Sequence, residues 1–260
     1  MDKVITDIDD LGVARVRLNN PDKHNAFDDQ MIGQLTEAFV AIADNSNVRV
    51  MVLGSEGKSF SAGADLEWMK RMASYSYDEN LRDASALALM LKTLNEIPQP
   101  TIARIQGPAF GGAVGLVSCC DMAVAASAAS FSLSEVKIGL VPATISPYVI
   151  AAIGQRAVRR YFVTAERFDA HRAMEIGLVN EVVDAEQLDQ EIDRLIDALL
   201  ANGPEAILAA KRLVFDIAGK PIDQQLIDST CETIAAIRVS EQGQEGLQAF
   251  LEKRKPHWLK

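Results

Sequence analysis

The sequence contains few of the side chains that build metal, redox or nucleophile sites. Among its 260 residues there are three cysteines and three histidines. No C-x-x-C spacing occurs, so we expect buried, inert thiols rather than a disulfide framework or a thiolate metal site. The histidines stand apart from the glycine turns described below, so we expect them at the surface and predict neither a metal nor a prosthetic group. These residues are Cys119, Cys120, Cys231, His24, His171 and His257.

Membrane-type apolar runs and several well-known motifs are also absent. The uncharged stretch 105–120 is too short and too rich in glycine to span a bilayer. The acidic start "MDKVITDIDDLG" lacks the apolar centre of a signal peptide, so we expect a cytoplasmic protein. The patterns G-x-x-x-x-G-K-[ST], G-x-G-x-x-G and G-x-S-x-G do not occur. Their absence argues against a phosphate loop, a dinucleotide fingerprint and a serine-hydrolase elbow.

Positive charge is scarce. Lys and Arg together number 26 against 36 Asp and Glu, which gives a formal net charge of −10. Nucleic acid and anionic lipid repel such a chain, so we expect neither a nucleic-acid partner nor a membrane partner. One basic cluster, the terminal "EKRKPHWLK", is short, and we interpret it as a solvated tail.

Strand-like and helix-like patterns alternate through the first two-thirds of the chain. "VARVRL" (13–18) alternates, the stretches 48–55 and 101–107 are apolar as in buried strands, and "MAVAAS" adds a fourth. Beyond the last short strand, "GLVNEVV", the pattern is helical only. This order predicts an α/β fold with a core domain over 1–202 and a helical region over 203–260.

Two of these strands run into helices through turns of small residues. The strand 48–55 leads through "SFSAGAD", and the strand 101–107 leads through "GPAFGGAVG". The first N–H groups of a helix lack internal partners, and small side chains let a ligand approach them. Two such turns side by side could direct two N–H groups at one oxygen, as in an oxyanion hole. The alternative is that glycine serves only the geometry of a tight turn.

One glutamate, Glu135, lies in an apolar segment, "SLSEVKIGLVP". Its neighbours in sequence include Leu133, Val136, Ile138 and Leu140. Apolar surroundings raise the pKa of a carboxyl group toward neutrality, which suits a general acid or base. The alternative is an exposed glutamate at a strand edge.

Five motifs, taken in order, resemble the crotonase superfamily of enoyl-CoA hydratases and isomerases. They are "SFSAGADLEWM", "IQGPAFGGAVGL", "CCDMAVA", "FSLSEVKIGLVP" and the terminal "EGLQAFLEKRKPHW", and they extend over nearly the whole chain. Within the superfamily they look most like the bacterial 3-methylglutaconyl-CoA hydratases of leucine breakdown. The isohexenylglutaconyl-CoA hydratases of acyclic terpene degradation are similar.

The resemblance implies a fold, an assembly and a reaction. The fold would be a spiral of ββα turns with a helical C-terminal region that trimerises, and two trimers commonly stack into a hexamer. The partner would be an acyl-CoA substrate, so coenzyme A enters only as part of that substrate. The reaction would be addition or removal of water across the 2,3 double bond of an enoyl-CoA thioester. Alternatives are an enoyl-CoA delta-isomerase that uses one glutamate, an RNA-binding relative and a catalytically silent acyl-CoA binder.

The resemblance also implies the roles of individual residues. The N–H groups of Ala64 and Gly112 would form the oxyanion hole, and Glu135 would be the acid/base. The positions implied for coenzyme A are Lys23, Ala26, Ala62, Gly63, Ala64, Asp65, Leu66, Lys253 and Lys255. The positions implied for the acyl pocket are Gly111, Gly115, Trp68 and Pro142.

One position departs from the family pattern. Many hydratases of the superfamily carry a second glutamate three residues after the oxyanion glycine, where this chain has Gly115. We interpret Gly115 as leaving space for a bulkier or branched acyl chain or for ordered water. No residue is assigned to a distal substrate carboxylate. Lys70, Arg71 and Arg82 follow the SAGAD turn and are interpreted as solvated helix charges.

Overall fold

Strands and helices alternate in the first part of the chain, and helices alone complete it. The computed structural model describes residues 2–259, which form nine strands and ten α-helices. The strands are β1 (Val4–Ile8), β2 (Val13–Leu18), β3 (Val50–Ser55), β4 (Thr101–Ile105), β5 (Ala109–Phe110), β6 (Met122–Ala126), β7 (Ser130–Ser132), β8 (Phe168–Asp169) and β9 (Glu181–Val183). The helices are α1 (Asp29–Ala43), α2 (Leu66–Met72), α3 (Tyr77–Glu96), α4 (Gly112–Cys119), α5 (Ser146–Thr164), α6 (Ala170–Glu175), α7 (Leu188–Leu200), α8 (Pro204–Ile217), α9 (Gln224–Val239) and α10 (Glu241–Glu252).

Two sheets organise these strands. Six strands form the larger sheet in the order β1-β2-β3-β4-β6-β9, and β5-β7-β8 form the smaller one. In the larger sheet β1 is antiparallel to β2, and the other neighbours are parallel. Because β3 and β4 are parallel neighbours, their carboxyl ends lie at the same edge of the sheet. The two glycine turns leave from this edge.

The larger sheet is buried on both faces, which explains the continuous apolar runs of β3 and β4. On one face, Met51 and Leu53 of β3 join the main core together with Leu35 and Phe39 of α1. On the other face, Val50 and Val52 pack in a second cluster that also contains Leu188, Ile192 and Ile196 of α7. Alternate residues of one strand therefore point to different helical layers.

The N-terminal strand β1 was not predicted. It lies at the edge of the larger sheet, and the side chains of its last three residues are exposed. An edge strand with little burial shows little apolar patterning, so its sequence resembles an acidic loop. One acidic residue of β1 also connects it to the next strand, because Asp7 forms an ion pair with Arg17 of β2. Two helices follow the first glycine turn: α2 ends at Met72, and Ser76 caps α3.

The three thiols differ in burial. Cys119 is buried and Cys120 is half-buried, whereas Cys231 on α9 is exposed. Burial raises the pKa of Cys119 above the ordinary range, and burial with the adjacent Asp121 raises the pKa of Cys120 to about 12. The prediction of buried thiols is therefore wrong for Cys231, because α9 buries none of its residues. The histidines are all exposed, as predicted.

The three helices after Gly203 carry an apolar surface that faces solvent. Among the described residues of α8, α9 and α10, only Ala249 is buried. We call the exposed large apolar side chains of this region the C-terminal apolar face: Val214, Phe215, Ile222, Ile227, Ile234, Val239, Leu247, Phe250 and Leu251. Between residues 2 and 259, no helix has both the length and the apolar character needed to cross a membrane.

Candidate active site

The two glycine turns lie directly against each other. Ser61 of the first turn forms an isolated parallel bridge with Ala109, and the N–H of Phe110 donates to the Ser61 carbonyl at 3.0 Å. Gly63 and Gly111 both have positive φ values, 93° and 55°, in the region that favours glycine. A Cβ on Gly63 would stand 3.2 Å from the carbonyl oxygen of Phe110. Glycine at these positions therefore permits both the conformation and the close approach of the turns.

Each turn carries an N–H group, that of Ala64 or Gly112, for which residues 2–259 supply no acceptor. In the first turn the N–H of Phe27 donates to the carbonyl of Gly63, and the carbonyl of Phe27 accepts from the N–H of Asp65. The backbone groups of the residues before and after Ala64 are thus hydrogen-bonded. In the second turn Gly111 donates to the carbonyl of Ser132 at 2.9 Å, and Gly112 is the first residue of α4. Among residues 2–259 no oxygen accepts from the N–H of Ala64 or Gly112. These are the two donors that the sequence predicted for an oxyanion hole.

The carboxyl group of Glu135 faces the second turn. Glu135 begins a short 3-10 turn, Glu135–Ile138, that follows β7. Its Oε1 lies 3.3 Å from the point where a Cβ on Gly111 would stand. Its Oε2 is buried and accepts no hydrogen bond within the described part of the chain. Burial raises the pKa of Glu135 above its ordinary value. A carboxyl group with these properties can exchange a proton with a ligand held at the turn.

The apolar surroundings that the sequence suggested for Glu135 are present only in part. Leu133 is fully buried, whereas Ile138 and Leu140 are more than half exposed. The carboxyl group also approaches the glycine turn at Gly111. That approach joins residues far apart in sequence, so no local pattern could have shown it.

The raised pKa of Glu135 predicts a pH-dependent stability. Because the folded protein holds this proton more tightly than the unfolded chain, stability falls as pH rises from about 4.5 through the folded pKa. We expect Glu135→Gln to raise the free energy of unfolding relative to wild type at pH 8 and to change it little at pH 4. Urea unfolding at both pH values measures this difference. An equal effect at both values would contradict a raised pKa.

The residues predicted for coenzyme A surround the first turn. Ala62, Ala64 and Leu66 are exposed, as contact with a ligand requires, whereas Gly63 and Ala26 are buried. Asp65 is also buried and caps α2 by accepting from the N–H groups of Glu67 and Trp68. Its role in the structure is therefore to hold the helix end. The contact with coenzyme A that the resemblance implies for the loop around Asp65 stays a prediction.

Lys23 is held at the same turn by an ion pair. Its Nζ lies 2.8 Å from Oδ2 of Asp65. Burial opposes ionisation of Asp65, but the hydrogen bonds from Lys23, Trp68 and Glu67 outweigh it, so the pKa of Asp65 is lowered. The ammonium group of Lys23 is half exposed and stays available to a phosphate. Lys253 and Lys255 lie at the far end of α10 and are exposed.

The predicted acyl-pocket residues do not all face one space. Gly111 faces the carboxyl group of Glu135, and Pro142 is buried beyond the turn that carries Glu135. Trp68 is only 5% exposed, belongs to the main core and donates from its indole to Asp83 at 3.0 Å. Trp68 is thus a core residue that anchors α2 to α3, and its implied place in the acyl pocket stays a prediction.

Gly115 does not leave an opening. A Cβ there would stand 2.8 Å from Cβ of Ile145 and 3.3 Å from Cδ2 of Leu91, and Cγ2 of Ile145 would be closer still. Both Ile145 and Leu91 are fully buried. The interpretation of Gly115 as space for substrate or water is therefore wrong. Ile145, at the start of α5, fills the volume that a side chain at Gly115 would need. Sequence reasoning missed Ile145 because nothing local links it to α4.

The charges after the SAGAD turn are solvated, as predicted. Arg71 pairs with Asp29, and Lys70 pairs with Glu67 in an exposed i,i+3 contact. Arg82 is exposed on α3. None of the three contacts the glycine turns in the described structure, so none is assigned to a distal carboxylate.

Phe27 is a further residue that the sequence did not single out. Besides its two backbone bonds to the first turn, its ring lies 3.5 Å from the position of a Cβ on Gly112. It therefore touches both turns and helps to set their separation. The only feature of the sequence that pointed to Phe27 was its position directly after the segment "PDKHNA".

Comparison with known proteins places this geometry in a family. The family model described as enoyl-CoA hydratase/isomerase matches residues 9–260. The crystal structure of an enoyl-CoA hydratase from Shewanella pealeana superposes with a TM-score of 0.95 at 48% identity, covering 98% of this chain and 96% of that one. That of an enoyl-CoA hydratase from Mycobacterium smegmatis gives a TM-score of 0.93 at 32% identity, with 99% of both chains covered.

The fold and the comparisons define an enzyme with the crotonase fold, of the hydratase and isomerase type. The chain belongs to the enoyl-CoA hydratase/isomerase family. A curated relative named crotonyl-CoA hydratase, from Syntrophomonas wolfei, is 29% identical over 95% of this chain and 94% of its own length. The predicted α/β crotonase fold is thereby confirmed.

Proposed function

We propose that this protein adds water to, or removes it from, the 2,3 double bond of an enoyl-CoA thioester, with Glu135 as the acid/base. The observation that carries the proposal is the buried, unpartnered Oε2 of Glu135, which stands beside the turn that begins α4. Two N–H groups without protein acceptors, those of Ala64 and Gly112, lie on the adjacent turns. Two N–H donors can bind a thioester oxygen, and a carboxyl group beside them can transfer protons to and from the acyl chain.

The two N–H groups bind the thioester carbonyl oxygen. When the oxygen of water adds to C3, the electrons of the double bond move toward the carbonyl, and the negative charge collects on the thioester oxygen. Donors already directed at that oxygen stabilise the enolate by about 3 kcal/mol each. A positioned carboxylate contributes roughly a further two to four powers of ten in rate.

Glu135 moves the protons of the reaction. As carboxylate it takes one proton from the attacking water, and as carboxylic acid it returns one proton to C2. The product is the 3-hydroxyacyl thioester, and Glu135 ends in the state in which it began. Its raised pKa brings the two forms closer in free energy, which favours both transfers.

One carboxyl group serves both transfers in this proposal. Ile145 fills the space beside Gly115, so the position of the second glutamate in many relatives is closed here. A single carboxyl group is also compatible with an isomerase that shuttles a proton between C2 and C4. The family description includes both reactions.

For the acyl group we propose 3-methylglutaconyl-CoA, the substrate of the hydratases that the motifs most resemble. Support comes from the three segments around the site, "SAGADLEWMK", "FGGAVGLVSCCDMA" and "LSEVKIGLVPATISPYV". Isohexenylglutaconyl-CoA is the alternative with the same distal carboxylate. Crotonyl-CoA is the smaller alternative, and one relative is named for it.

A substrate panel in isotopic water tests both levels of the proposal. We expect kcat/KM for 3-methylglutaconyl-CoA to exceed the values for 3-methylcrotonyl-CoA and crotonyl-CoA by about tenfold or more, which corresponds to about 1.4 kcal/mol. With H₂¹⁸O, the label should appear in the 3-hydroxyacyl product. A shifted double bond without label would identify an isomerase. Tight binding without either product would identify a silent acyl-CoA binder.

We further propose that the C-terminal region 203–260 associates in a trimer. The C-terminal apolar face supports this, because large exposed apolar patches mark interaction surfaces. Lys253 and Lys255 lie at the end of this region, where a neighbouring subunit could present them to the phosphates of coenzyme A. Sedimentation velocity of wild type and of Phe250→Asp tests the association, with the variant expected to shift toward smaller species.

A further inference from the structure

A cavity lined by arginines lies on the surface made by α5 and α6. Its volume is about 720 Å³, and four guanidinium groups line it together with Glu175 and the apolar residues Ile153, Ala157 and Ile176. The four arginines are Arg156, Arg159, Arg160 and Arg172. None of them belongs to the glycine turns or to the turn of Glu135. The proposed hydration reaction uses none of them.

The chain concentrates positive charge here although its net charge is −10. From residue 156 to residue 172 there are five arginines, no lysine and two acidic residues. On α5 the spacing of Arg156, Arg159 and Arg160 is i, i+3 and i+4, which places them on one face of the helix. Arginine alone, without lysine, is the composition that suits bidentate binding of planar or tetrahedral oxyanions.

Two of these guanidinium groups are held in place, and two have no partner. Arg160 binds both carboxyl oxygens of Glu166, at 2.5 and 3.1 Å. Arg172 donates to the hydroxyl of the buried Tyr161 at 3.0 Å and to Glu175 at 2.7 Å. For Arg156 and Arg159, the described part of the chain supplies neither an ion pair nor a hydrogen-bond acceptor. Arg160 and Arg172 are therefore fixed, whereas the donors of Arg156 and Arg159 are not used by residues 2–259.

We propose that this cavity, which we call the arginine cavity, binds a phosphate group of a small ligand through Arg156 and Arg159. A phosphate offers several strong acceptor oxygens and two negative charges, which match the two bidentate guanidinium groups of Arg156 and Arg159. The cavity is concave and limited in volume, which favours a small polyanion over a long polymer. The ligand phosphate can come from inorganic phosphate or pyrophosphate, or from the phosphates of coenzyme A.

Calorimetric titration with inorganic pyrophosphate at fixed ionic strength tests the site. We expect wild type to bind with a measurable heat, and Arg156→Ser/Arg159→Ser to weaken the affinity by about tenfold or more. The matched control Lys92→Ala/Lys220→Ala removes two exposed positive charges elsewhere, and its affinity should equal that of wild type. Arg156→Lys/Arg159→Lys keeps both positive charges but loses the bidentate donor geometry of the guanidinium groups, so its affinity for pyrophosphate should be intermediate.

Titration with coenzyme A distinguishes the two sources of the phosphate group, which are free phosphate or pyrophosphate and coenzyme A itself. A second equivalent bound by wild type and lost in Arg156→Ser/Arg159→Ser would identify coenzyme A as the ligand. Binding of pyrophosphate without that second equivalent would identify free phosphate.

Three results would overturn the proposal. They are no pyrophosphate binding to wild type, equal affinity in all variants, and a change of oligomeric state on loss of the two arginines. The last result would show that a second copy of the chain occupies the cavity. Binding of single-stranded RNA that depends on Arg156 and Arg159, without pyrophosphate binding, would also contradict a small-ligand site. Both serine positions are exposed, and far-UV circular dichroism checks that the variant is folded.

Discussion

Replacing Glu135 with glutamine is expected to lower kcat by at least about a hundredfold, which corresponds to about 2.7 kcal/mol in activation free energy. Glutamine keeps the size and shape of the side chain but cannot take a proton from water or return one to C2. The donors of Ala64 and Gly112 are backbone groups and remain, so the affinity for an acyl-CoA should change little. Steady-state kinetics and calorimetric binding of a saturated acyl-CoA measure the two quantities.

A control and a pH profile make this result specific to Glu135. Glu37→Gln removes an exposed carboxylate on α1 and should retain the activity of wild type. The limb of the kcat/KM profile that reports the ionisation of Glu135 should disappear in the Glu135→Gln variant. A variant that keeps more than a third of the wild-type kcat would remove Glu135 from the mechanism.

The second large effect concerns the packing of Gly115 against Ile145. Alanine is the better helix former by about 1 kcal/mol, but its Cβ would stand 2.8 Å from Cβ of Ile145. Neither atom is at the end of a flexible side chain, so we expect the clash to prevail and Gly115→Ala to lose about 1–3 kcal/mol of unfolding free energy. Gly115→Glu adds bulk and a buried charge, so we expect a still larger loss.

A double variant separates packing from other causes. Ile145→Ala leaves a cavity and should lose about 2–5 kcal/mol, while in Gly115→Ala/Ile145→Ala the new methyl group partly fills it. The loss in the double variant should be smaller than the sum of the single losses by about 0.5–3 kcal/mol. Urea unfolding of the four proteins gives this coupling, and strictly additive losses would show that the two residues do not share one space.

Kinetics distinguish this packing role from the earlier interpretation of an opening for substrate. If Gly115 only packs, Gly115→Ala lowers kcat/KM for 3-methylglutaconyl-CoA and for crotonyl-CoA by similar factors. A selective loss for the larger substrate would show that the acyl chain reaches this position. The packed contact joins α4, which carries Gly112, to the start of α5, so a uniform loss of activity is the expected result.

The sequence predicts those parts of the site that depend on local chemistry. The turns around Gly63 and Gly111 could be predicted because tight strand-to-helix turns need residues that tolerate positive φ values. Glu135 stood out as a charge in an apolar segment. The two turns could be expected side by side because each follows a buried strand, and the bridge between Ser61 and Ala109 confirms this.

The remaining parts depend on contacts between residues distant in the chain. Whether a glycine marks an opening or a close contact depends on the facing side chain, and at Gly115 that residue is thirty positions further on. The approach of the Glu135 carboxyl group to the turn at Gly111 likewise joins residues far apart in the chain. The edge strand β1 has too little burial to produce a periodic pattern.

The most direct test of the account is a crystal structure of the Glu135→Gln variant with 3-methylglutaconyl-CoA bound, because the variant should hold the substrate without converting it. The account predicts the thioester oxygen about 3 Å from the backbone nitrogens of both Ala64 and Gly112. It also predicts that the side chain at position 135 faces C2 and C3 of the acyl chain. A thioester oxygen bound away from either nitrogen, with position 135 remote from the double bond, would contradict the account.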